Sequence, residues 1–421
     1  MVMVRRGVPA RNWSMNVTER ATPSARPADA RSPFVRLAEL LAGIEPGQTV
    51  INIAVGEPQH PIPSFVGPVL AAHLADFGRY PANAGTDRYR QAVAGWLDRR
   101  YALARPIDPA SEILVLSGTR EGLFLAAIAA RRWVKPRGKP AMLIPNPFYA
   151  VYAAGAVAAD CEPVYLDATA ANGFLPDLDA LSPELLARTA AFYLASPANP
   201  QGSIADAAYL QRLIALARKH GFMVFADECY SEIYWKDAPP GMLEQAGPDF
   251  ANVAVFHSLS KRSSLPGLRM GFIAGDRTFI KPFLDLRSVA APQVPVPAQE
   301  VAIAAYGDET HVEENRALYR AKFDLADQII GNRYGYKRPP GGFFLWLDVS
   351  QHGGSEGATV RLWKEAGLRV LPGSYAARPQ ADGFNPGDGY IRIAMVQDRA
   401  DQLVQPAAQR GAHFVRHIVG G

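Results

Sequence analysis

The sequence predicts an α/β fold, a large domain on a mostly parallel seven-stranded sheet with helices on both faces, followed by a smaller α+β domain. Uninterrupted apolar runs recur near 113–116, 141–144, 163–166, 191–195, 222–226, 253–257 and 271–275, with helical stretches between them. Strands that are apolar throughout are buried on both faces, as in a parallel sheet covered by helices. The segment Pro292-Gln293-Val294-Pro295-Val296-Pro297 then has a proline density that stops regular structure and marks a hinge into a second unit. The expected organisation is a leader over 1–34, an N-terminal arm and small-domain part over 35–75, the large domain over 76–295 and the small domain over 296–421.

Composition narrows the function classes. A chain of 421 residues, 48% hydrophobic and 20% charged, has enough material for one large and one smaller domain. Its net charge of +4 is spread without a long basic block, which argues against nucleic acid as a partner. No apolar run reaches bilayer length, so no membrane partner is expected. Cys161 and Cys229 are too few for a disulfide framework and lack metal-ligand spacing, so both are expected as reduced core thiols in a cytoplasmic protein without a metal. Residues 1–34 carry six arginines among Pro, Ser and Ala, with no apolar secretion segment, and read as a disordered leader outside the fold.

Taken in order, Val50–Val55 reads as a strand entering a turn at Gly56, where a missing Cβ lets a ligand approach the backbone. Tyr80 precedes a helix with Tyr89, Val93, Trp96 and Leu97 on one face. After the strand at 113–116, Ser117-Gly118-Thr119-Arg120 opens a helix, and free amides at such an N-terminus suit an anion. The strand at 141–144 closes in Pro145-Asn146-Pro147-Phe148-Tyr149, and that at 191–195 in Ser196-Pro197-Ala198-Asn199-Pro200. Asp206 caps the next helix and Gly221 stops it. The following two strands deliver Asp227 and Tyr230, then Ser258 to Lys261. Beyond the hinge come a long polar helix at 311–331, a strand at 342–347, a helix at 358–366, a segment at 368–371 and a strand at 390–394, with Arg392 opposite Ile391 and Ile393 in the alternation. Taken singly, Gly56 could be only a turn residue and Tyr149 is equally a packed rim residue, whereas at 117–120 phosphate binding is favoured over a plain helix cap.

The stretch Ser258-Leu259-Ser260-Lys261, with Arg269 eight residues on beside glycine, sets an amine among groups suited to phosphate. That describes a lysine holding the aldehyde of pyridoxal phosphate, whose ring nitrogen needs an acid and whose phosphate needs hydroxyls, amides and a guanidinium. In open α/β sheets ligands lie beyond the strand carboxyl ends, where these polar candidates fall.

With these parts in place, residues 35–415 resemble the fold-type-I pyridoxal-phosphate aminotransferases of class I/II. Ser-x-Ser-Lys with a downstream Arg-x-Gly, Asn-Pro followed by Gly, and Asp with Tyr three residues later stand in the family's order. Longer strings are similar to one branch, the succinyldiaminopimelate aminotransferases of bacterial lysine synthesis. They are Ser117-Gly-Thr-Arg-Glu-Gly-Leu-Phe, Pro145-Asn-Pro-Phe-Tyr, Asp227-Glu-Cys-Tyr-Ser-Glu-Ile-Tyr, Ser258-Leu-Ser-Lys-Arg-Ser and Leu371-Pro-Gly-Ser-Tyr. The resemblance implies pyridoxal 5′-phosphate as cofactor, carried by Lys261, which also moves the substrate proton as base and acid. It places Asp227 on the pyridine nitrogen, Asn199 and Tyr230 on the phenolic oxygen, and Tyr149 against the ring. Gly118, Thr119, Arg120, Ser258, Ser260 and Arg269 hold the phosphate in this scheme. Tyr80 reaches the phosphate of a neighbouring subunit, which implies a homodimer. Arg392 takes the substrate α-carboxylate, assisted by Gly56 and Asn199. Arg120 departs from the broader family, and Arg120 with Arg262 is expected either to meet the extra carboxylates of a long substrate or to form ordinary ion pairs. The implied reaction is transamination of N-succinyl-LL-2,6-diaminopimelate with 2-oxoglutarate. Alternatives are an aspartate, alanine, aromatic or acetylornithine-like aminotransferase, or a carbon–sulfur β-lyase. A transcription regulator would need a DNA-binding domain that 34 leading residues cannot supply.

Overall fold

The structure, a computed structural model, describes residues 31–397. The leader therefore falls almost wholly outside the described residues, as do residues 398–421 of the expected small domain.

The strands are β1 (Ile51–Asn52), β2 (Ile113–Leu116), β3 (Ala141–Asn146), β4 (Glu162–Asp167), β5 (Thr189–Ala195) and β6 (Met223–Asp227). They continue as β7 (Val253–Ser258), β8 (Gly271–Gly275), β9 (Phe344–Asp348), β10 (Leu368–Arg369), β11 (Leu371–Pro372) and β12 (Tyr390–Ala394). The helices begin with α1 (Pro33–Leu40), α2 (Val66–Ala72), α3 (Asp87–Arg100), α4 (Thr119–Trp133), α5 (Ala150–Ala158) and α6 (Pro183–Arg188). Then follow α7 (Ala207–His220), α8 (Met242–Gln245), α9 (Leu259–Arg262), α10 (Arg277–Ala290), α11 (Val296–Gly307), α12 (Thr310–Ile330) and α13 (Gly354–Ala366).

Seven strands form one sheet in the order β2-β8-β7-β6-β5-β3-β4. Only β8 runs antiparallel to its neighbours β2 and β7. The continuous apolar runs have the expected cause: alternate residues of one strand serve two cores. Val253 and Val255 of β7 join the core with α3, α7 and α11, whereas Ala254 and Phe256 join the core with α4, α5 and α10. At about 25 cal/mol per Å² of apolar surface, neither face can be left to water. Asp206 caps α7 by accepting from the Tyr209 amide at 2.8 Å, and Gly221 ends it with a left-handed φ of 74°.

A second, antiparallel sheet has the order β11-β12-β9, and its core is closed by α12 and α13. The helix expected to be polar buries Val312, Tyr319, Phe323, Ala326 and Ile330, a stripe at helical spacing.

One expectation is corrected. The strand at 50–55 is only the two residues of β1, paired in parallel with β10. The segment at 368–371 is divided at Val370, because β10 pairs with β1 whereas β11 pairs with β12. Pro297 enters α11 at its first turn, where its missing N–H costs nothing. Val301, Ala302, Ala305 and Tyr306 of α11 then pack in the core beneath the large sheet. Ser32 caps α1, and Leu37 on that helix is buried beside Leu371 and Tyr375.

Candidate active site

β7 ends at Ser258, whose Oγ accepts from the Ser260 amide at 3.1 Å and so turns the chain into the single helical turn of α9. That turn carries Lys261 past the sheet's edge, where its Nζ donates to the Gly56 carbonyl at 2.6 Å. Burial pushes the amine down to about 8, and the Arg392 guanidinium acts in the same direction. Gly56 is required by close approach, because a Cβ there would stand 2.6 Å from Cζ of Phe344.

Asp227 ends the neighbouring strand β6 and is buried. Its Oδ2 accepts from the Tyr152 hydroxyl at 2.7 Å, and its Oδ1 accepts from the Cys229 amide at 3.3 Å. Tyr152 stacks on Tyr193 with ring centroids 4.6 Å apart, and burial followed by the Asp227 charge raises its pKa well above 10, so it stays a donor. Sequence reasoning missed Tyr152; its one signal was a hydroxyl within the alanine- and valine-rich run of α5. Tyr230, one turn beyond Asp227, is buried with its ring edge on Phe343 at 5.2 Å. Burial pushes its phenol well above 10, opposed by Arg392.

The turn after β2 forms an anion cradle. Gly118 caps α4 with a φ of 78°, and a Cβ there would lie 2.2 Å from Nη2 of Arg269. Glycine thus permits both the turn and the guanidinium's approach. Arg269 is itself left-handed, with φ 56°, and donates to the Pro266 carbonyl at 3.0 Å. The Ser258 and Ser260 hydroxyls are 2.9 Å apart, and Thr119 Oγ1 is 3.2 Å from Cys229 Sγ. Unpaired amides of a 15-residue helix, a guanidinium and hydroxyls make a phosphate site. Together with the depressed amine and the buried carboxylate, this donor set fits pyridoxal 5′-phosphate.

At the other end, Arg392 on β12 donates from Nη1 to Asn199 Oδ1 at 3.0 Å and from Nη2 to the Ala54 carbonyl at 2.8 Å. Its Cζ lies 4.5 Å from the Phe344 ring centroid, and its Nε is buried without a partner. Burial lowers its pKa to about 10, which leaves it cationic at neutral pH. Among the described residues no carboxylate pairs with it, so this guanidinium can receive one. Tyr149 caps α5 and stands edge-on to Tyr152 at 5.7 Å; its hydroxyl accepts from Nε of the exposed Arg120 at 2.6 Å.

Two expected residues lie apart from this group. Tyr80 is 96% exposed. Arg262 is buried, donating to the Ala305 carbonyl at 2.8 Å and pairing with Glu309, with its guanidinium 5.4 Å from the Trp96 ring centroid. These bonds tie Arg262 to Ala305 of α11 and to Glu309 just before α12, an ion pair as in the second of the two readings.

The family model for aminotransferase class I and II matches residues 48–409. An LL-diaminopimelate aminotransferase of Desulforudis audaxviator is 33% identical over 371 residues, covering 86% of this chain and 90% of the relative. One of Moorella thermoacetica is 30% identical over 395 residues, covering 92% and 95%. Among solved structures, an aminotransferase from Neisseria meningitidis Z2491 has a TM-score of 0.84 at 38% identity, covering 91% of this chain and 98% of its own. The aminotransferase AspB from Helicobacter pylori 26695 has a TM-score of 0.81 at 32% identity, covering 91% and 99%.

Proposed function

The chain belongs to the class I and II aminotransferases, which depend on pyridoxal 5′-phosphate, and we propose that it transfers the amino group of a diaminopimelate-class donor to 2-oxoglutarate. The donor is N-succinyl-LL-2,6-diaminopimelate, as the longer sequence strings suggest, and the setting is lysine biosynthesis. Free LL-diaminopimelate is the second reading, favoured by the names of the curated relatives.

When bound, pyridoxal phosphate supplies an aldehyde that takes up amino groups and a ring that draws electrons from the adjacent carbon. Lys261 would be its covalent carrier, and its amine, pushed down to about 8 by burial and freed when the substrate's amino group takes its place, would take the proton from the substrate's Cα and return it. Asp227, held by Tyr152, would keep the ring nitrogen protonated. Gly118, Thr119 and Arg120 offer backbone amides to the phosphate, with Ser258, Ser260 and Arg269 beside them. Tyr149 would pack on the ring, while Asn199 and Tyr230 would donate to its phenolic oxygen. Tyr80, projecting into solvent, reaches the site of a second copy in a homodimer. The two sheets are two domains, with the boundary after α11.

The observation that carries this reading is Arg392, a buried fork-shaped cation with neutral partners, matched to an α-carboxylate as lysine could not be. Arg120, exposed beside Tyr149, meets a distal carboxylate. A panel of donors with 2-oxoglutarate tests the assignment. Glutamate should form from the succinylated donor with kcat/KM about 100-fold above aspartate, alanine or aromatic donors, a difference of about 3 kcal/mol. No glutamate from that donor rejects the first reading. Activity with the free diamino acid alone establishes the second.

A further inference from the structure

Behind Lys261 lies a set of buried polar groups that the proposed chemistry does not use. Lys322 and Asn315 lie seven residues apart on α12, and His60 lies on the loop that also carries Gly56; they are 3%, 6% and 5% exposed. Such groups are kept in a core only when their bonds are satisfied.

The bonds have a forced direction. Asn315 Nδ2 lies 3.1 Å from the carbonyl oxygens of both Lys261 and Arg262, and carbonyls only accept, so the amide nitrogen faces them. Asn315 Oδ1 then accepts from Ser264 Oγ at 3.1 Å and from His60 Nδ1 at 2.6 Å. With two donors and two lone pairs engaged, the amide's capacity is full. His60 must carry its proton on Nδ1, which makes Nε2 the acceptor for Lys322 Nζ at 2.6 Å. Lys322 also donates to the Met395 carbonyl at 3.2 Å, three residues beyond Arg392.

We propose that Lys322, His60 and Asn315 form a positioning network for Lys261, a one-directional hydrogen-bond chain from the buried Lys322 Nζ to the last carbonyls of the turn that carries the amine. A one-turn helix such as α9 has little cooperativity of its own and leaves its final carbonyls without intrahelical partners. Asn315 supplies those partners. Because His60 and Gly56 share a loop, the chain also fixes the carbonyl that receives Lys261 Nζ. The network therefore holds the amine from both sides, through its own backbone and through its hydrogen-bond acceptor. None of the three residues touches the reacting atoms.

The inference rests on Lys261 being the proton-carrying amine, so Lys261→Ala is the control. If that variant stays active, the reading of the site fails; if it is dead, the network is judged separately. His60→Leu removes both ends of the imidazole, whereas His60→Gln keeps one donor and one acceptor. In the holoenzyme, His60→Leu should lower kcat about tenfold, equivalent to about 1.4 kcal/mol, with the donor KM within about twofold. His60→Gln should restore at least about half of kcat, since it replaces one hydrogen-bond pair by another. In cofactor-free protein, amide hydrogen exchange over residues 259–264 should accelerate about tenfold in His60→Leu, with β4 unchanged. If His60→Leu fails to fold, Lys322→Met is read in the same way. Unchanged kcat and exchange overturn the proposal, and so does a glutamine variant as impaired as the leucine one.

Discussion

The Tyr152 hydroxyl donates to Asp227 Oδ2 at 2.7 Å, and both groups are buried. A hydrogen bond to a charged group in such a setting contributes about 1.5–3 kcal/mol. Tyr152→Phe keeps the stack on Tyr193 and removes only that bond. Cofactor affinity, measured by absorbance titration of the cofactor-free protein, should fall about tenfold. An unchanged dissociation constant would show that Asp227 is held without Tyr152.

Arg392→Lys tests the carboxylate fork. Lysine keeps the charge but cannot donate in parallel to two oxygens while also bonding Asn199 and Ala54. The expected outcome is a kcat/KM for the amino donor reduced about 100-fold, mostly through KM. The bound cofactor's absorbance should be unaltered.

Lys261 carries a stability cost with a definite pH signature. Its amine titrates at about 8 in the folded protein against an ordinary 10.5, so between those values the unfolded chain binds more protons. Stability of the cofactor-free protein therefore rises with pH across that window, and below it the full penalty of about 3 kcal/mol is present. Lys261→Met, which keeps the apolar stem, should be more stable than the parent at pH 7 in denaturant unfolding. The gap should close toward about pH 10. A parent more stable than the variant at pH 7 would contradict the buried-amine assignment.

Arg262 and Arg120 should separate cleanly. Arg262→Ala removes a buried cation bonded to Ala305 and Glu309 and should cost about 2–4 kcal/mol of stability, with KM values little changed. Arg120→Ala, at an exposed position, should leave the melting temperature unchanged and raise KM for the succinylated donor about tenfold. If its KM values for that donor and for 2-oxoglutarate are unchanged, Arg120 has no part in substrate choice.

The large sheet and the site's front were legible because β-strand geometry writes them in order along the chain. Each apolar run is a strand, and the polar residue after it falls at the carboxyl end, as Asp227 and Ser258 do. Groups contributed from elsewhere left no comparable trace. Tyr152 lies on a helix in an apolar run, and His60, Asn315 and Lys322 are brought together by packing alone. For Arg262 the sequence left a substrate contact and an ion pair both open, because adjacency to Lys261 does not say where the helical turn of α9 points each side chain. The proline-dense run 292–297 carries no regular structure through Pro295, and its last two residues open α11, since proline at a first helical turn begins a helix as readily as it ends one.

Borohydride reduction of the active holoenzyme, followed by peptide mapping, addresses the attachment of the cofactor most directly. A pyridoxyl group should appear on the peptide containing Lys261, and on no other lysine. An active enzyme whose reduced protein carries the label elsewhere, or carries none, would contradict the assignment of Lys261 and the roles built around it.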